Sequence, residues 1–462
     1  MKLLCNTMNK NKITTEIITR FPPSPTGFFH IGGARTAFFN YLFAKQNQGK
    51  MLFRLEDTDK ERSKAEFEED ILESLRWLGL EFDGDIQKQS ERTEIYKKYL
   101  ERLIQDGKAF LSREEVEEDK RAEVIRFKNP NVKIIFNDLI RGQIEFDTTE
   151  LGDFIIAKSL TEPLYHLAMV VDDFEAGVTH IIRGEDGISN TPRQILIQEA
   201  LGAPRPLYAH LPLILAPDKS KMSKRHGAVS INAYRKMGYL LEALLNYLAL
   251  LGWNPGTAQE IFSKADLIEK FNLEKVQKGG AIFNLEKLKW LNKEHLKLMS
   301  DQNFKEKVLE FLPAEIKRLV LGDAEIFEKI LPLLRERVEK FDDVAQMSQA
   351  GDLTYFFKQP EYELKKILWK GETDLNVVQK HLLKIIEFFQ NLDNFARENL
   401  KNSVWDYATE QGRGTVLWPL RFVLSGKDKS PDPFELAEIL GKMETIKRIN
   451  YAIEKINSTT NI

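Results

Sequence analysis

The chain has 462 residues, a formal net charge of -3 and 42% hydrophobic residues, too long for one compact domain and rich enough for two or three folding units with their own cores. The near-neutral charge gives no bulk attraction for nucleic acid, so any phosphate binding must come from local patches. A single cysteine, Cys5, rules out an internal disulfide and a cysteine zinc site.

Residues 1–15 are too polar for a secretory signal and read as a flexible tail. The best spanning candidate, Leu240 to Trp253, is interrupted by Glu242 and Asn246, so no membrane contact and a cytoplasmic location are expected. Ile17 and Ile18 open a short buried strand. Pro22, Pro23, Pro25 and Gly27 then force a rigid loop. Beyond it Ala34, Ala37, Phe38, Tyr41 and Leu42 fall at helical spacing. His30, Gly32 and Gly33 therefore stand where strand and loop deliver the chain into a helix N-terminus. Free N–H groups and the helix dipole favour an anion there, and glycine lets a phosphate approach the backbone.

Met51 to Asp57 reads as a buried strand with acids at its C-terminal end, the edge where ligands collect in open parallel sheets. Ser63 and Glu66 have capping-box spacing ahead of a stripe at Phe67, Ile71, Leu75 and Leu78, and a further helix near residues 91–104 closes at Gly107. This alternation predicts a doubly wound, Rossmann-like α/β parallel sheet. From 108 to 164 the pattern changes. Short β-like runs at Lys133 to Phe136, Gly142 to Phe146 and Phe154 to Ala157 suggest an α+β insert that leaves the sheet domain. Sheet character resumes with Tyr165 to Asp173 and Val178 to Asp186. A helix from Thr191 to Leu201 follows, opened by Pro192, and then a strand from Leu207 to Leu215.

The loop DKSKMSKRHG comes next, with four basic residues among the seven from Lys219 to Arg225. Such a run is usually a solvated surface; placed after a sheet strand and facing the His30 helix it would instead clamp a triphosphate. Beyond Ala233 the pattern is helical to the end. Leu240, Leu244, Leu248 and Leu251 mark one helix, another starts near Asn284, and Phe434 to Leu440 and Met443 to Ile453 mark two more.

SPTGFFHIGG resembles the first nucleotide-binding motif of class I aminoacyl-tRNA synthetases, and the longer RFPPSPTGFFHIGGART resembles their glutamyl branch. Lys221-Met222-Ser223-Lys224-Arg225 is similar to the mobile lysine loop of the class. A helical finish also fits the glutamyl branch, since glutaminyl enzymes typically end in β-barrels. The resemblance implies a bacterial-type enzyme that activates glutamate with ATP and Mg2+ and passes it to the 3'-terminal adenosine of tRNA(Glu). Alternatives are a form that also charges tRNA(Gln), or a noncatalytic tRNA-binding relative. It further implies a monomer without zinc, in which the catalytic sheet domain spans 16–107 and 165–229. The insert at 108–164 would bind the tRNA acceptor end, 230–310 would contact the stem, and 311–462 would form an α-helical anticodon-binding domain.

By the same resemblance, His30, Lys221 and Lys224 stabilise the reacting phosphate. ATP contacts fall at His30, Gly32, Gly33, Asp186, Leu213, Ile214, Lys221, Ser223, Lys224 and Arg225. Glutamate contacts fall at Arg20, Ser24, Glu56, Tyr165, Met169 and Arg183, and Arg337 reads the anticodon. The chemistry points the same way: two carboxylates call for two guanidinium forks, and Arg20 and Arg183 each follow an apolar strand, while Glu56 suits an ammonium. Ordinary ion pairing of these arginines with Glu56, Asp57, Glu185 or Asp186 is the open alternative.

Overall fold

Residues 16–113, 123–220, 222 and 230–460 are described by a computed structural model; residues 1–15, and Lys221, Ser223, Lys224 and Arg225 of the basic loop, lie outside them. The apolar entry forms strand β1 (Ile18–Phe21). It is followed by α1 (Ile31–Gln46), β2 (Lys50–Leu55), α2 (Ala65–Trp77), β3 (Gln87–Lys88) and α3 (Thr93–Gln105). β1 pairs in parallel with β2, and β2 with β3. Six short strands come next: β4 (Ala109–Arg113), β5 (Glu123–Phe127), β6 (Lys133–Asp138), β7 (Gly142–Asp147), β8 (Phe154–Ser159) and β9 (Glu162–Pro163). Helix α4 (Tyr165–Glu175) leads to β10 (His180–Gly184), α5 (Thr191–Leu201), β11 (Leu207–Leu211) and β12 (Ile214–Leu215).

β10 and β11 are parallel, and β10 begins beside β1. Thr179 N–H donates to the Ile18 carbonyl at 2.9 Å, and Ile18 N–H donates to Thr179 Oγ1 at 2.9 Å. The strands therefore lie in the order β3, β2, β1, β10, β11. The chain winds outward from β1 in one direction and from β10 in the other, so the topological switch point falls between those two strands. Ligands of open α/β sheets bind outside the carboxyl ends of the strands at such a point.

The remaining elements of this unit are α6 (Ile231–Lys236), α7 (Leu241–Leu250), α8 (Lys264–Lys270), β13 (Ala281–Ile282) and α9 (Leu285–Leu298). Helix α1 is buried on nearly every side, and its Phe38, Phe39 and Leu42 join Phe53, Leu244, Leu248, Trp253 and Phe271 in one core. Leu100 of α3, Leu167 and Val171 of α4, Ile195 of α5 and Ile181 of β10 build a second core. Helices thus cover both faces, which is why the strands read as continuous apolar runs.

Four sequence expectations change. Tyr165 to Asp173 is helix α4, not a strand: Leu167, Ala168, Met169, Val170, Val171, Asp172 and Asp173 are all buried, and a short uniformly apolar run does not distinguish a strand from a buried helix. Ser63 and Glu66 form no capping box, because the helix starts one residue late. Its N-cap is Lys64, without a side-chain cap. The 108–164 segment does not wholly leave the sheet: β4, β5, β8 and β9 form a separate antiparallel sheet, whereas the β6–β7 hairpin is stitched to β11 through Asp138 and Tyr208. The strand predicted at 207–215 breaks at Pro212, and its second part, β12, pairs with β13 instead.

The chain divides into two compact units, one up to His295 and one from Leu296 onward. The second is built from α10 (Asp301–Phe311), α11 (Ala314–Gly322), α12 (Ala324–Arg337), α13 (Asp342–Gln349), α14 (Thr354–Phe357), α15 (Leu375–Gln390), α16 (Arg397–Gln411), α17 (Arg413–Ser425) and α18 (Pro433–Thr460). Gly441, at φ 76° and ψ 167°, interrupts α18, between the two apolar stretches read from the sequence. Arg448, 1% exposed, donates to the carbonyls of Tyr355 and Leu424 at 2.6 Å each and fastens this bundle. Among the described residues no helix is long and apolar enough to cross a membrane.

Candidate active site

A cavity of about 1040 Å³ opens at the switch point. Arg20 comes from β1, Glu56 directly follows β2, and Arg183 comes from β10. His30 caps α1, and Tyr165 opens α4. All five line the cavity, together with Gly32, Gly33, Asp186, Leu213 and Ile214. Two named residues lie elsewhere: Ser24 is exposed on the proline loop, and Met169 is completely buried in α4, off the cavity wall. Arg337 is exposed at the end of α12, in the second unit.

The basic loop reaches the cavity by its described flanks. Met222 N–H donates to the Ile214 carbonyl at 3.2 Å, and Ile231 N–H donates to the Phe29 carbonyl at 2.8 Å. Ser230 pairs with His30 across an isolated bridge. Met222 and Ser230 both line the cavity. The first motif and the described flanks of the basic loop, Met222 and Ser230, thus meet at one space.

His30 is itself the N-cap of α1. Its Nδ1 accepts the N–H of Gly32 at 3.0 Å and of Gly33 at 3.4 Å. In the neutral ring the proton then sits on Nε2, which is a donor. A Cβ on Gly33 would come 2.7 Å from the Phe29 ring, so glycine is required there by packing.

Arg20 is 2% exposed. Its Nε donates to Asp173 at 3.1 and 3.3 Å, while its Nη1 has no partner among the described residues. Arg54, behind it, donates to Asp173 at 2.7 Å and to Glu56 at 3.0 Å, and sits 3.4 Å from Asp172. Asp172 also accepts from Arg92 at 2.7 Å and from Gln89 and Tyr96 at 2.9 Å. Burial alone would raise Asp173, yet Arg20 and Arg54 hold its carboxyl below the usual range. Burial pushes the Glu56 carboxyl up, with Arg54 and Arg20 pulling it back only in part. Isolated buried charges are costly, so this network is a set of mutual dependents.

Arg183 differs: each of its hydrogen-bond partners is uncharged. Nε donates to His210 Nε2 at 3.1 Å, and Nη2 to Gly187 O, Thr191 Oγ1 and Gln194 Oε1 at 3.1, 2.9 and 2.8 Å. Nη1 has no partner among the described residues. Gly187 makes this seat possible, because a Cβ there would come 2.6 Å from Arg183 Nε. Burial, with Glu56 nearby, raises the Tyr165 phenol. Glu185 braces the wall, pairing with Arg141 and accepting Leu213 N–H at 2.6 Å. The ion pairs left open by the sequence therefore resolve differently: among the described residues Arg20 pairs with Asp173 and Arg183 with no acid, rather than with Glu56, Asp57, Glu185 or Asp186.

Asp173, Arg54, Asp138, His210 and Gln194 were not singled out from the sequence. The adjacent acids Asp172 and Asp173 inside an apolar run were the available signal, masked by reading that run as a strand.

Residues 16–123 and 111–290 match the catalytic domain of class I tRNA synthetases (E and Q), and residues 303–453 match an anticodon binding domain. The chain is 40% identical to glutamate–tRNA ligase 1 of Caldanaerobacter subterraneus subsp. tengcongensis, over 96% of this chain and 98% of that one. It is also 40% identical to the glutamate–tRNA ligase of Aquifex aeolicus, over 96% of this chain and 100% of the other. The crystal structure of a glutamate tRNA ligase from Elizabethkingia meningosepticum, in complex with its amino acid, superposes with a TM-score of 0.81 at 33% identity, covering 96% of this chain and 100% of that one. The chain belongs to the class I tRNA synthetases of the E and Q group, alongside the glutamate–tRNA ligases.

Proposed function

We propose that this protein is a glutamate–tRNA ligase whose amino-acid pocket lies between Arg20 and Arg183. The observation that carries this reading is the pair of buried Nη1 groups, one on each arginine, without partners among the described residues of a single cavity that Glu56 also lines. A buried guanidinium N–H left unpaired is costly, and a substrate carboxylate satisfies it. Asp173 already offsets the charge of Arg20, whereas among the described residues only neutral groups hydrogen-bond to Arg183. Arg183 therefore keeps the stronger preference for a carboxylate over an amide and selects the glutamate side chain against glutamine. Glu56 receives the substrate ammonium, which replaces the compensation its burial lacks, and the Tyr165 hydroxyl orients the substrate. Met169 packs behind the pocket.

Activation needs positioning and charge stabilisation more than a protein nucleophile. The glutamate α-carboxylate attacks the α-phosphorus of ATP, the α–β bridging bond breaks, and pyrophosphate leaves. His30 Nε2–H donates to the phosphate, and Gly32 and Gly33 let it approach α1. Asp186, Leu213 and Ile214 flank the nucleoside, and Lys221, Ser223, Lys224 and Arg225 contact the phosphates. Magnesium supplies charge neutralisation on the phosphates and arrives with ATP. The terminal ribose hydroxyl of tRNA(Glu) then attacks the glutamyl carbonyl and AMP departs. The insert receives the acceptor end and the helical unit, with Arg337, the anticodon. The enzyme works as a cytoplasmic monomer.

ATP–pyrophosphate exchange with glutamate or glutamine, with and without tRNA(Glu), tests the reading. Exchange with glutamate in the presence of tRNA, and none with glutamine, is expected. Exchange with glutamine at a comparable rate would contradict the role of Arg183.

A further inference from the structure

Arg183 is held on all but one side. Nε and Nη2 are spent on His210, Gly187, Thr191 and Gln194, and among the described residues only Nη1 is left over. The bond to His210 is the informative one, because both partners are nitrogen atoms. Arg183 can only donate, so Nε2 of His210 must present a lone pair, and the imidazole proton must sit on Nδ1. The residue that enforces this comes from a third strand. Asp138, at the end of β6, lies 2.6 Å from His210 Nδ1. It also accepts the backbone N–H groups of Ile140 at 2.9 Å, Arg141 at 2.8 Å and His210 at 3.1 Å. A carboxylate receiving so many donors stays ionised. Neither Asp138 nor His210 lines the cavity, and both side chains are wholly buried.

The strand register makes the alignment rigid. Asp138 stands opposite Tyr208 and Arg183 opposite His210, so the three residues run across β6, β11 and β10. We propose that Asp138 and His210 are positioning residues for substrate recognition: Asp138 fixes the Nδ1–H tautomer of His210, whose Nε2 lone pair seats the Arg183 guanidinium so that Nη1 remains for the substrate carboxylate. This deepens the glutamate-pocket reading and rests on it. A histidine with its proton on Nε2, or with both nitrogens protonated, would set N–H against N–H and unseat the fork. The other groups facing His210 do not set this relay of hydrogen bonds. Arg141 donates to its backbone carbonyl at 3.3 Å, Thr191 Oγ1 lies 3.4 Å from Nε2, and the rings of Tyr208 and Phe136 pack beside it. Burial, with Arg183 and Arg141 nearby, lowers the His210 pKa against the opposing pull of Asp138, so the neutral ring persists at neutral pH.

The direct test is made on the wild-type enzyme labelled with 15N-histidine, with the His210 signals identified by their loss in His210→Gln. At pH 7 the expected spectrum has a protonated Nδ1 and an unprotonated Nε2. The opposite tautomer or an imidazolium overturns the proposal. In Asp138→Asn the amide N–H can donate to Nδ1 and so admits the wrong tautomer. In tRNA-dependent exchange its KM for glutamate should rise about tenfold while KM for ATP stays within about twofold. An unchanged KM for glutamate, or a parallel rise in both, overturns it. If Asp138→Asn does not fold, His210→Phe, which keeps the ring stack but has no lone pair, is read by the same split in KM. Wild-type enzyme without glutamate-dependent exchange would overturn the pocket reading and the relay with it. Normal wild-type exchange with an indifferent Asp138→Asn would overturn the relay alone.

Discussion

Arg54 carries the charge balance behind the pocket. It is 3% exposed at its side chain and faces Asp172, Asp173 and Glu56 together. Replacing it by methionine would leave three buried acids with Arg20 and Arg92 only. Arg54→Met is expected to destabilise the catalytic unit by about 3–5 kcal/mol, read as a lower midpoint in urea unfolding; a midpoint within error of wild type would contradict the network. Lys224 belongs to the chemistry instead. Lys224→Ala is expected to lower kcat for exchange while leaving tRNA affinity nearly intact, and unchanged exchange would remove it from the mechanism. At this scale the sequence could name Arg20, His30, Glu56 and Arg183, because each sits in a motif or at a strand end. It could not name Asp138 or His210, whose parts depend on strands that meet only in the folded sheet.

Among the elements, α2 and α6 hold the two ends of the nucleotide-binding region together. Asp70 on α2 accepts the backbone N–H of Phe29 at 2.6 Å with one oxygen and the amide of Asn232 on α6 at 2.9 Å with the other. Phe29 leads into His30, and Asn232 follows Ser230 where the basic loop returns. Asp70→Ala would leave the buried Phe29 N–H unsatisfied at a cost of about 1–3 kcal/mol. It should also raise KM for ATP more than KM for glutamate; equal effects on both would deny α2 this role. Periodicity reached most of these elements because their buried faces repeat at 3.6 or 2 residues. It failed at α4, where burial on nearly all sides erases the period. It also failed at Ser63, where the right spacing occurs one residue before the helix begins.

For the whole molecule, pH exposes how the cores treat titratable groups. Burial lowers His166 to about 4 and also lowers His180, His210, His295 and His381. In the unfolded chain these side chains take up protons near pH 6.5. Between that value and about pH 4 the unfolded state therefore binds more protons than the folded one, and stability falls as the pH falls. The raised Glu56 and Glu435 work in the opposite sense, as two groups against five. Melting temperature should drop by several degrees between pH 7 and pH 5; a flat or rising profile would contradict the burial of these histidines.

The doubly wound order was legible from alternating strands and helices. The stitching of the β6–β7 hairpin to β11 was not, since one register pair between distant segments leaves no local pattern. That hairpin matters, because it brings Asp138 into line with the pocket. The central claim is that two guanidinium groups across the switch point, each through its Nη1, hold the two carboxylates of glutamate. Arg183→Lys tests it most directly, since among the described residues Arg183 bonds only to neutral groups and its loss leaves no buried acid there unpaired. In exchange assays with tRNA(Glu), KM for glutamate should rise about a hundredfold while KM for ATP is little changed. A glutamate KM equal to that of the wild type would contradict the account.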